Sequence, residues 1–154
     1  MFTGSTVSIT GNDTVIINGR NLINLAEGDN GALTHPNELM TVKTGKNGNT
    51  IYAYNTSGQQ GELVLRLIRG SADDRFLNSQ LMTMKRDPAA FFLMSGKFVK
   101  RAGDGNGFVT NDTYIMLGGV FFKQVDVTSN AEGNTDQAVA VYSIRWGNVF
   151  RAIL

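Results

Sequence analysis

The one histidine is the first residue to weigh for chemistry. His35 stands before Pro36 in a polar stretch. A Ser-His-Asp triad needs a histidine held between a nucleophile and an acid, and metal sites gather several ligands. The 154 residues contain no cysteine, so thiol catalysis, Cys-ligated zinc and disulfides are excluded. We expect His35 to be an exposed loop residue, and we predict no catalytic, cofactor-binding or metal-binding residues and no enzymatic activity.

Two short glycine-containing segments resemble ligand loops but lack the residues those loops need. The Gly-Asp-Gly-Asn-Gly sequence at 103–107 has no spaced second and third carboxylates and no terminal glutamate, as a calcium loop would. The Thr-Gly-Lys sequence at 44–46 ends like a phosphate-binding loop. Asn47 replaces the Ser or Thr, however, and Met40 replaces the first glycine. Both segments are therefore predicted to be turns.

The adjacent carboxylates Asp73 and Asp74 could suggest acid–base chemistry. They follow Ser71, which has the residue type of a helix N-cap. Acidic residues in a first helical turn are favoured by the helix dipole. We expect both to be structural.

A nucleic-acid surface is the other chemical hypothesis. Its basic candidates are Arg66, Arg69, Lys97, Lys100, Arg101 and Lys123, and its aromatic candidates are Phe91, Phe92, Phe98, Phe121 and Phe122. Binding of single strands needs aromatic and basic residues interleaved along one surface. These residues show no such spacing. We favour aromatics in the core or in a subunit interface, with the charges facing solvent.

Composition describes one domain with an unusual surface. The net charge is +1, and no run of about 18 apolar residues could span a membrane. The N-terminus lacks a basic and apolar leader, so a soluble cytoplasmic product is expected. Charged residues make up 18% of the chain, below the roughly 25% of typical domains, which favours a surface that meets other protein. An ordinary β-domain with a polar, uncharged surface explains the composition equally well.

The first third of the chain is predicted to contain two hairpins. Residues 6–10 and 14–22 form the first, with the Gly-Asn-Asp turn at 11–13. A polar loop without a period covers 25–38. Residues 39–43 and 50–55 flank an Asn-Gly turn and form the second hairpin. With the alternating strand at 62–69, they are predicted to form a three-stranded meander.

One helix and three long strands follow. Ser71 and the sequence Asp87-Pro88 mark the helix ends, and Phe76, Leu77, Leu81 and Met84 give it one apolar stripe. Strands are predicted at 90–100, with a bulge or bend at Gly96, and at 112–127, interrupted by the glycines at 118–119. The last strand is predicted at 137–154, with the side chains of 138, 140, 142, 144 and 146 on one face.

These elements predict a mainly β fold with one α-helix, an antiparallel β-barrel or sandwich in a single domain of residues 1–154. Its long strands need partners on both edges. Edge pairing between subunits in a ring would supply them.

The strand that begins Gly61-Glu-Leu-Val-Leu-Arg-Leu-Ile and leads into the Ser71 helix resembles the tail tube proteins of contractile-tailed bacteriophages. The order of the other elements resembles theirs across nearly the whole chain. Their fold is also similar to the tube component of type VI secretion. The resemblance implies a structural virion protein that forms hexameric rings, stacked into the hollow inner tube through which phage DNA is ejected.

The same resemblance implies binding partners, a location for the protein and positions for its elements in the tube. Sheath, baseplate and tail-terminator proteins would contact the tube, and the tape measure protein and DNA would pass through its lumen. The subunit would not bind membranes, and it would be assembled in the host cytoplasm into the virion tail. The helix at 72–86 would lie outside the barrel, and the loop at 26–38 or the hairpin around Asn47 would stack rings. The acidic lumen of the family would require basic residues such as Arg69 and Lys100 to face outward.

Other classes remain open. A tail completion or baseplate ring protein of the same fold would form one ring and stop, and the tube of a secretion system would have another cargo. A small β-barrel that binds sugar or nucleic acid would be a stable monomer. A hydrolase would need a nucleophile and base that His35 alone does not supply.

Overall fold

The computed structural model describes residues 8–10, 13–26 and 31–153. Their strands are β1 (Ile9–Thr10), β2 (Thr14–Ile17), β3 (Arg20–Asn21), β4 (Gly31–Thr34), β5 (Met40–Thr44), β6 (Thr50–Tyr54), β7 (Gly61–Ile68), β8 (Met94–Gly103), β9 (Val109–Lys123) and β10 (Val139–Ile153). Helix α1 is Ala72–Arg86, and short 3₁₀ turns lie at Thr56–Gln59, Pro88–Ala90 and Asp136–Ala138. The predicted class, mainly β with one α-helix, is confirmed.

The main sheet is antiparallel, in the order β3-β2-β8-β9-β10-β7-β4, with β1 paired to β8 beside β2. Its centre is formed by the long strands β8, β9 and β10. Among the described strands, the ladders themselves do not close into a barrel.

One segment nevertheless contacts strands near both ends of this sheet. We call residues 20–26 the seam segment. At its start Leu22 N–H donates to Val15 O of β2 at 2.9 Å. At its end Ala26 N–H donates to Arg66 O at 2.8 Å, and Asn24 O accepts from Ile68 N–H at 2.9 Å, both on β7. The seam segment therefore joins β2 to β7 across the open side of the sheet.

The core is built on the alternating leucines of strand β7. Leu63, Leu65 and Leu67 alternate with more exposed residues, as a half-buried strand requires, and all three are fully buried. Strand β10 lies antiparallel to β7 and buries Ala140, Tyr142, Ile144 and Trp146 on the same side. The predicted alternation is confirmed for the leucines of β7 and for residues 140, 142, 144 and 146 of β10, and the structure shows that these faces point inward, whereas Ala138 lies in a 3₁₀ turn and is exposed.

Helix α1 covers this core. The Ser71 hydroxyl accepts from Asp74 N–H, so Ser71 is the predicted N-cap, and the helix ends at Arg86 before Asp87-Pro88. Leu77 and Leu81 are buried, and Phe76 and Met84 pack beside them. The predicted apolar stripe is confirmed.

The predicted first hairpin is wrong. Strands β1 and β2 both pair with β8 and not with each other. The tight turn lies instead between β2 and β3, at Asn18 (φ 49°) and Gly19 (φ 81°). Asn-Gly is the pair that accepts two positive φ angles, and this turn interrupts the predicted strand at 14–22. Residues 1–7 and 11–12, which include part of the predicted strand and its turn, lie outside the described residues.

Part of the predicted polar loop is also strand. Residues 31–34 form β4, which pairs with β7 so that Leu33 lies opposite Leu63. A strand of four residues with one large apolar side chain is too short to show a period. The stretch 27–30 of this loop lies outside the described residues.

The predicted meander is wrong as well. Strands β5 and β6 pair as a separate two-stranded sheet, while β7 pairs with β10 and β4. The prediction assumed that consecutive strands are neighbours. The fully apolar inner face of β7 instead packs against the equally apolar face of β10.

The long strands differ from prediction mainly at their ends and glycines. Strand β8 begins at Met94 rather than residue 90, and β9 runs through both glycines. Gly118 (φ 69°) is the extra residue of a β-bulge opposite Met94 and Ser95. Gly96 is not a bulge: a Cβ there would lie 2.8 Å from Ile16 O, so glycine permits close strand approach.

Candidate assembly interface

The β5–β6 hairpin carries an apolar face that the rest of the described chain does not cover. Cross-strand partners in an antiparallel pair point to the same side. Met40 lies opposite Tyr54, and Val42 lies opposite Tyr52. Since residues two apart on a strand share a face, these four side chains form one surface. We call Met40, Val42, Tyr52 and Tyr54 the hairpin apolar face.

All four side chains of this face are exposed, from 43% at Met40 to 67% at Tyr52. Among the described residues, β5 and β6 pair only with each other, so each strand leaves one edge unpaired. A two-stranded hairpin is marginally stable in water unless something packs against it. The arrangement is typical of a surface that is completed by another molecule.

The base of the hairpin is held firmly. Asn55 N–H donates to Leu39 O at 2.8 Å, and the Asn55 amide donates to Thr41 Oγ1 at 2.6 Å. The 3₁₀ turn at Thr56–Gln59 lies against Leu39, where a Cβ on Gly58 would come within 2.5 Å of Leu39 Cα. The hairpin thus projects from a fixed base.

A second apolar region lies on the outer face of the main sheet. A groove of about 480 Å³ passes between Ile16, Lys97, Ile115 and Leu117. Phe92 and Leu93, which directly precede β8 in the chain, are also exposed, Phe92 to 91%. This region adds uncovered apolar area away from the hairpin.

His35 is exposed near the hairpin base, with Nδ1 3.4 Å from Gln60 O. It lines an open cavity of about 440 Å³ with Tyr114 and Arg151. Arg151 donates twice to Asp112, at 2.6 and 2.9 Å, and these hydrogen bonds lower the pKa of the Asp112 carboxyl. The described part of the cavity holds no nucleophile placed against His35.

The structure disperses the candidate nucleic-acid residues. Arg66 pairs with Asp136, Lys123 pairs with Asp126, and the Arg69 guanidinium binds backbone carbonyls. Lys97, Lys100 and Arg101 lie on β8. Phe121 is buried, Phe91 and Phe98 are half-buried, and Phe92 and Phe122 are exposed. These residues do not line up as one basic and aromatic strip.

Asp73 is more than a helix-start residue. Its fully buried carboxylate accepts from Ile23 N–H at 2.6 Å, Asn24 N–H at 2.7 Å and Arg20 Nε at 2.9 Å. Burial alone would raise its pKa, but the bonds from Asn24, Arg20 and Ile23 outweigh burial and hold the pKa below its usual value. The sequence predicted the helix start and gave no sign of these partners 49 to 53 residues away.

Asp74 joins the same turn to β10. Its carboxylate accepts from Gly70 N–H at 2.7 Å and from the Tyr142 hydroxyl at 2.5 Å. Burial, with this bond to a carboxylate, raises the pKa of Tyr142. The phenol therefore remains the hydrogen donor.

The glycine loop after β8 is a turn closed by its own aspartate. Asp104 Oδ1 accepts from Asn106 N–H at 2.7 Å and Phe108 N–H at 3.2 Å. Across residues 8–10, 13–26 and 31–153, no cluster of three or more His, Asp or Glu side chains could hold a metal ion. In the same ranges no helix is both long and apolar enough to cross a membrane.

No known protein family matches the sequence, and no curated protein matches it. Among solved structures, the chain is similar to a component of the anti-feeding prophage baseplate, determined by cryo-electron microscopy with six-fold symmetrisation. The two chains are 13% identical, the match covers 97% of each, and the TM-score is 0.47.

Proposed function

We propose that this protein is a structural subunit that assembles with copies of itself into hexameric rings, which stack into the hollow inner tube of a contractile tail. The observation that carries the proposal is the exposed hairpin apolar face on a fixed base. The resemblance of the β7–α1 junction to tail tube proteins supplies the kind of assembly.

The partner of the hairpin apolar face is a second copy of this chain. A hairpin that contacts a different surface on the next copy makes a heterologous contact, and such contacts close into rings or continue as helical filaments. In the proposed tube this contact joins one ring to the next. The phage genome passes through the lumen during ejection. Sheath, baseplate and terminator proteins are the proposed further partners, and the virion tail is the proposed location.

The experiment compares the wild type with a Val42→Asp variant. Negative-stain electron microscopy and light scattering across a concentration series measure assembly, and circular dichroism measures folding. We expect hollow tubes or stacked six-fold rings for the wild type. The variant should keep its spectrum and thermal midpoint but should not stack, because a charge replaces an apolar side chain at the centre of the hairpin apolar face.

Val127→Asp is the matched control, since Val127 is a highly exposed valine on the connection between β9 and β10. It should stack like the wild type. Single rings that never stack would assign the wild type to a tail completion or baseplate ring instead. A wild type that stays monomeric at all concentrations would overturn the proposal.

A further inference from the structure

We infer that Asp73 is a latch for the seam segment, so that the open side of the sheet is closed only while helix α1 is docked. The inference concerns the single subunit and does not depend on whether rings form. It rests on the position of one buried carboxylate between a helix and the segment that bridges two sheet strands.

Leu22 and Leu25 fix the side chains of the seam segment on the core, but the backbone N–H groups in its middle depend on Asp73. The first residues of the segment pair with β2, and its last residues pair with β7. Between these pairings, the N–H groups of Ile23 and Asn24 both donate to Asp73 Oδ2. If the carboxylate were removed, two neighbouring backbone donors would lose their acceptor, and Ile23 itself is exposed and does not anchor the segment.

The carboxylate that holds the seam segment is carried by helix α1 and not by a strand of the sheet. Asp73 lies in the first turn of α1, which is fixed on the core by Leu77 and Leu81. Arg20 reaches from the seam segment to Asp73 Oδ1 and lies over the Phe76 ring, 5.3 Å from its centroid. Both contacts exist only when α1 lies on the sheet. Helix docking and seam closure are therefore one coupled event.

An open seam would change the edges that the subunit presents. Val15 O on β2 and the backbone groups of Arg66 and Ile68 on β7 would lose their partners. Unpaired strand edges pair readily with other chains, and natural proteins cover them. The latch thus keeps these edges covered in the free subunit.

Hydrogen exchange of the full-length protein tests the inference, with the Asp73→Asn variant compared with the wild type. The asparagine keeps the side-chain shape, but it carries no charge and has one acceptor fewer. We expect the amides of Ile23, Asn24, Ala26 and Ile68 to exchange faster by about tenfold or more, while amides in the centres of β9 and β10 keep their protection.

Gly119→Ala is the control, because a methyl group there disturbs the core at Trp146 and leaves both the Asp73 carboxylate and helix α1 in place. The two variants are compared at temperatures that leave each equally far below its thermal midpoint. Selective exchange of the seam amides in Asp73→Asn alone supports the latch. Equal, uniform acceleration in both variants would show that Asp73 only adds global stability and would overturn it.

If Asp73→Asn does not fold, Arg20→Gln takes its place. That change removes one of the three bonds and leaves the carboxylate on Ile23 and Asn24. Faster exchange confined to the seam amides again supports the latch. Unchanged seam amides, with Arg20 replaced and the protein folded, would count against it.

Discussion

Gly119 of β9 lies directly beneath the indole ring of Trp146 on β10, its cross-strand neighbour. A methyl group at Gly119 would overlap the six-membered part of that ring. Trp146 is fully buried at the centre of the core. The glycine therefore makes room for the largest side chain in the sheet.

We predict that Gly119→Ala destabilises the protein by about 1–3 kcal/mol, because overpacking a filled core forces side chains or backbone to shift. Urea unfolding followed by the fluorescence of Trp146, the one tryptophan in the chain, measures the change. Gly147→Ala is the control, since its nearest neighbouring atoms would be 3.8 Å away, and it should cost much less. Equal losses for both variants would contradict the packing argument.

Leu81→Asp should unfold the protein or cost roughly 3–5 kcal/mol, because it places an unpaired charge in the core. Leu81 is 5% exposed, whereas the adjacent Met82 is 50% exposed. Met82→Asp should therefore leave the thermal midpoint within a few degrees of the wild type. Circular dichroism melting of both variants decides the matter, and a stable, wild-type-like Leu81→Asp would mean that the helix packs differently.

Tyr142→Phe should cost about 1–3 kcal/mol, because it removes the buried hydroxyl that donates to the Asp74 carboxylate. Tyr114→Phe is the comparison. The Tyr114 hydroxyl lies 3.4 Å from Asp112, which already receives two bonds from Arg151, so its loss should cost only about 0.5 kcal/mol. Denaturant midpoints measure both changes, and a larger loss for Tyr114→Phe would reverse the predicted ranking.

The stabilisation that Asp73 contributes to the folded protein should decrease at low pH. Its pKa is lowered in the folded protein, so the ionised carboxylate stabilises the fold above the unfolded pKa of about 3.9. That contribution is lost as the pH falls below about 4 and through the folded pKa. Thermal midpoints from pH 7 to pH 2 should therefore show a gap between wild type and Asp73→Asn that narrows in acid. A gap that stays constant to pH 2 would mean that folding does not lower the pKa of the Asp73 carboxyl.

The sequence predicted those elements that are marked by local patterns of residue type. The alternating leucines of β7 and the apolar residues of β10 predicted one shared face on each strand, and Ser71 and Pro88 predicted both ends of α1. Each of these signals is local, since it depends on residues two to four positions apart. The alternation of both strands, the helix and the Asn-Gly hairpin at 45–49 agree with the structure, which also shows which strand faces point inward.

The errors concern which strands become neighbours. No residue pattern in β7 predicts that it pairs with β10, some 70 residues later. Nor does any pattern predict that β6 lies outside the main sheet. The short strand β4 has one large apolar side chain, Leu33, and its place depends on Leu63 opposite. These facts are set by packing between distant residues, which no local pattern encodes.

The candidate interface was predicted only in part. The hairpin around Asn47 was one of two proposed stacking elements, and its alternation was visible in Tyr52 and Tyr54. The exposure of that alternating face was not visible, because a core strand and an uncovered hairpin have the same period. The hydrogen bonds of Asp73 to the seam segment were not predicted, because its position in a first helical turn already explained an acidic residue there.

The isolation of the β5–β6 hairpin from the main sheet bears on how such a protein can change over generations. Within the described chain, the side chains of the hairpin apolar face are absent from the buried core, so mutations there do not alter the interior. Under the proposed function, folding and recognition lie on separate stretches of sequence. A lineage could then acquire a new specificity between copies by varying a few hairpin positions while its core remains as it was.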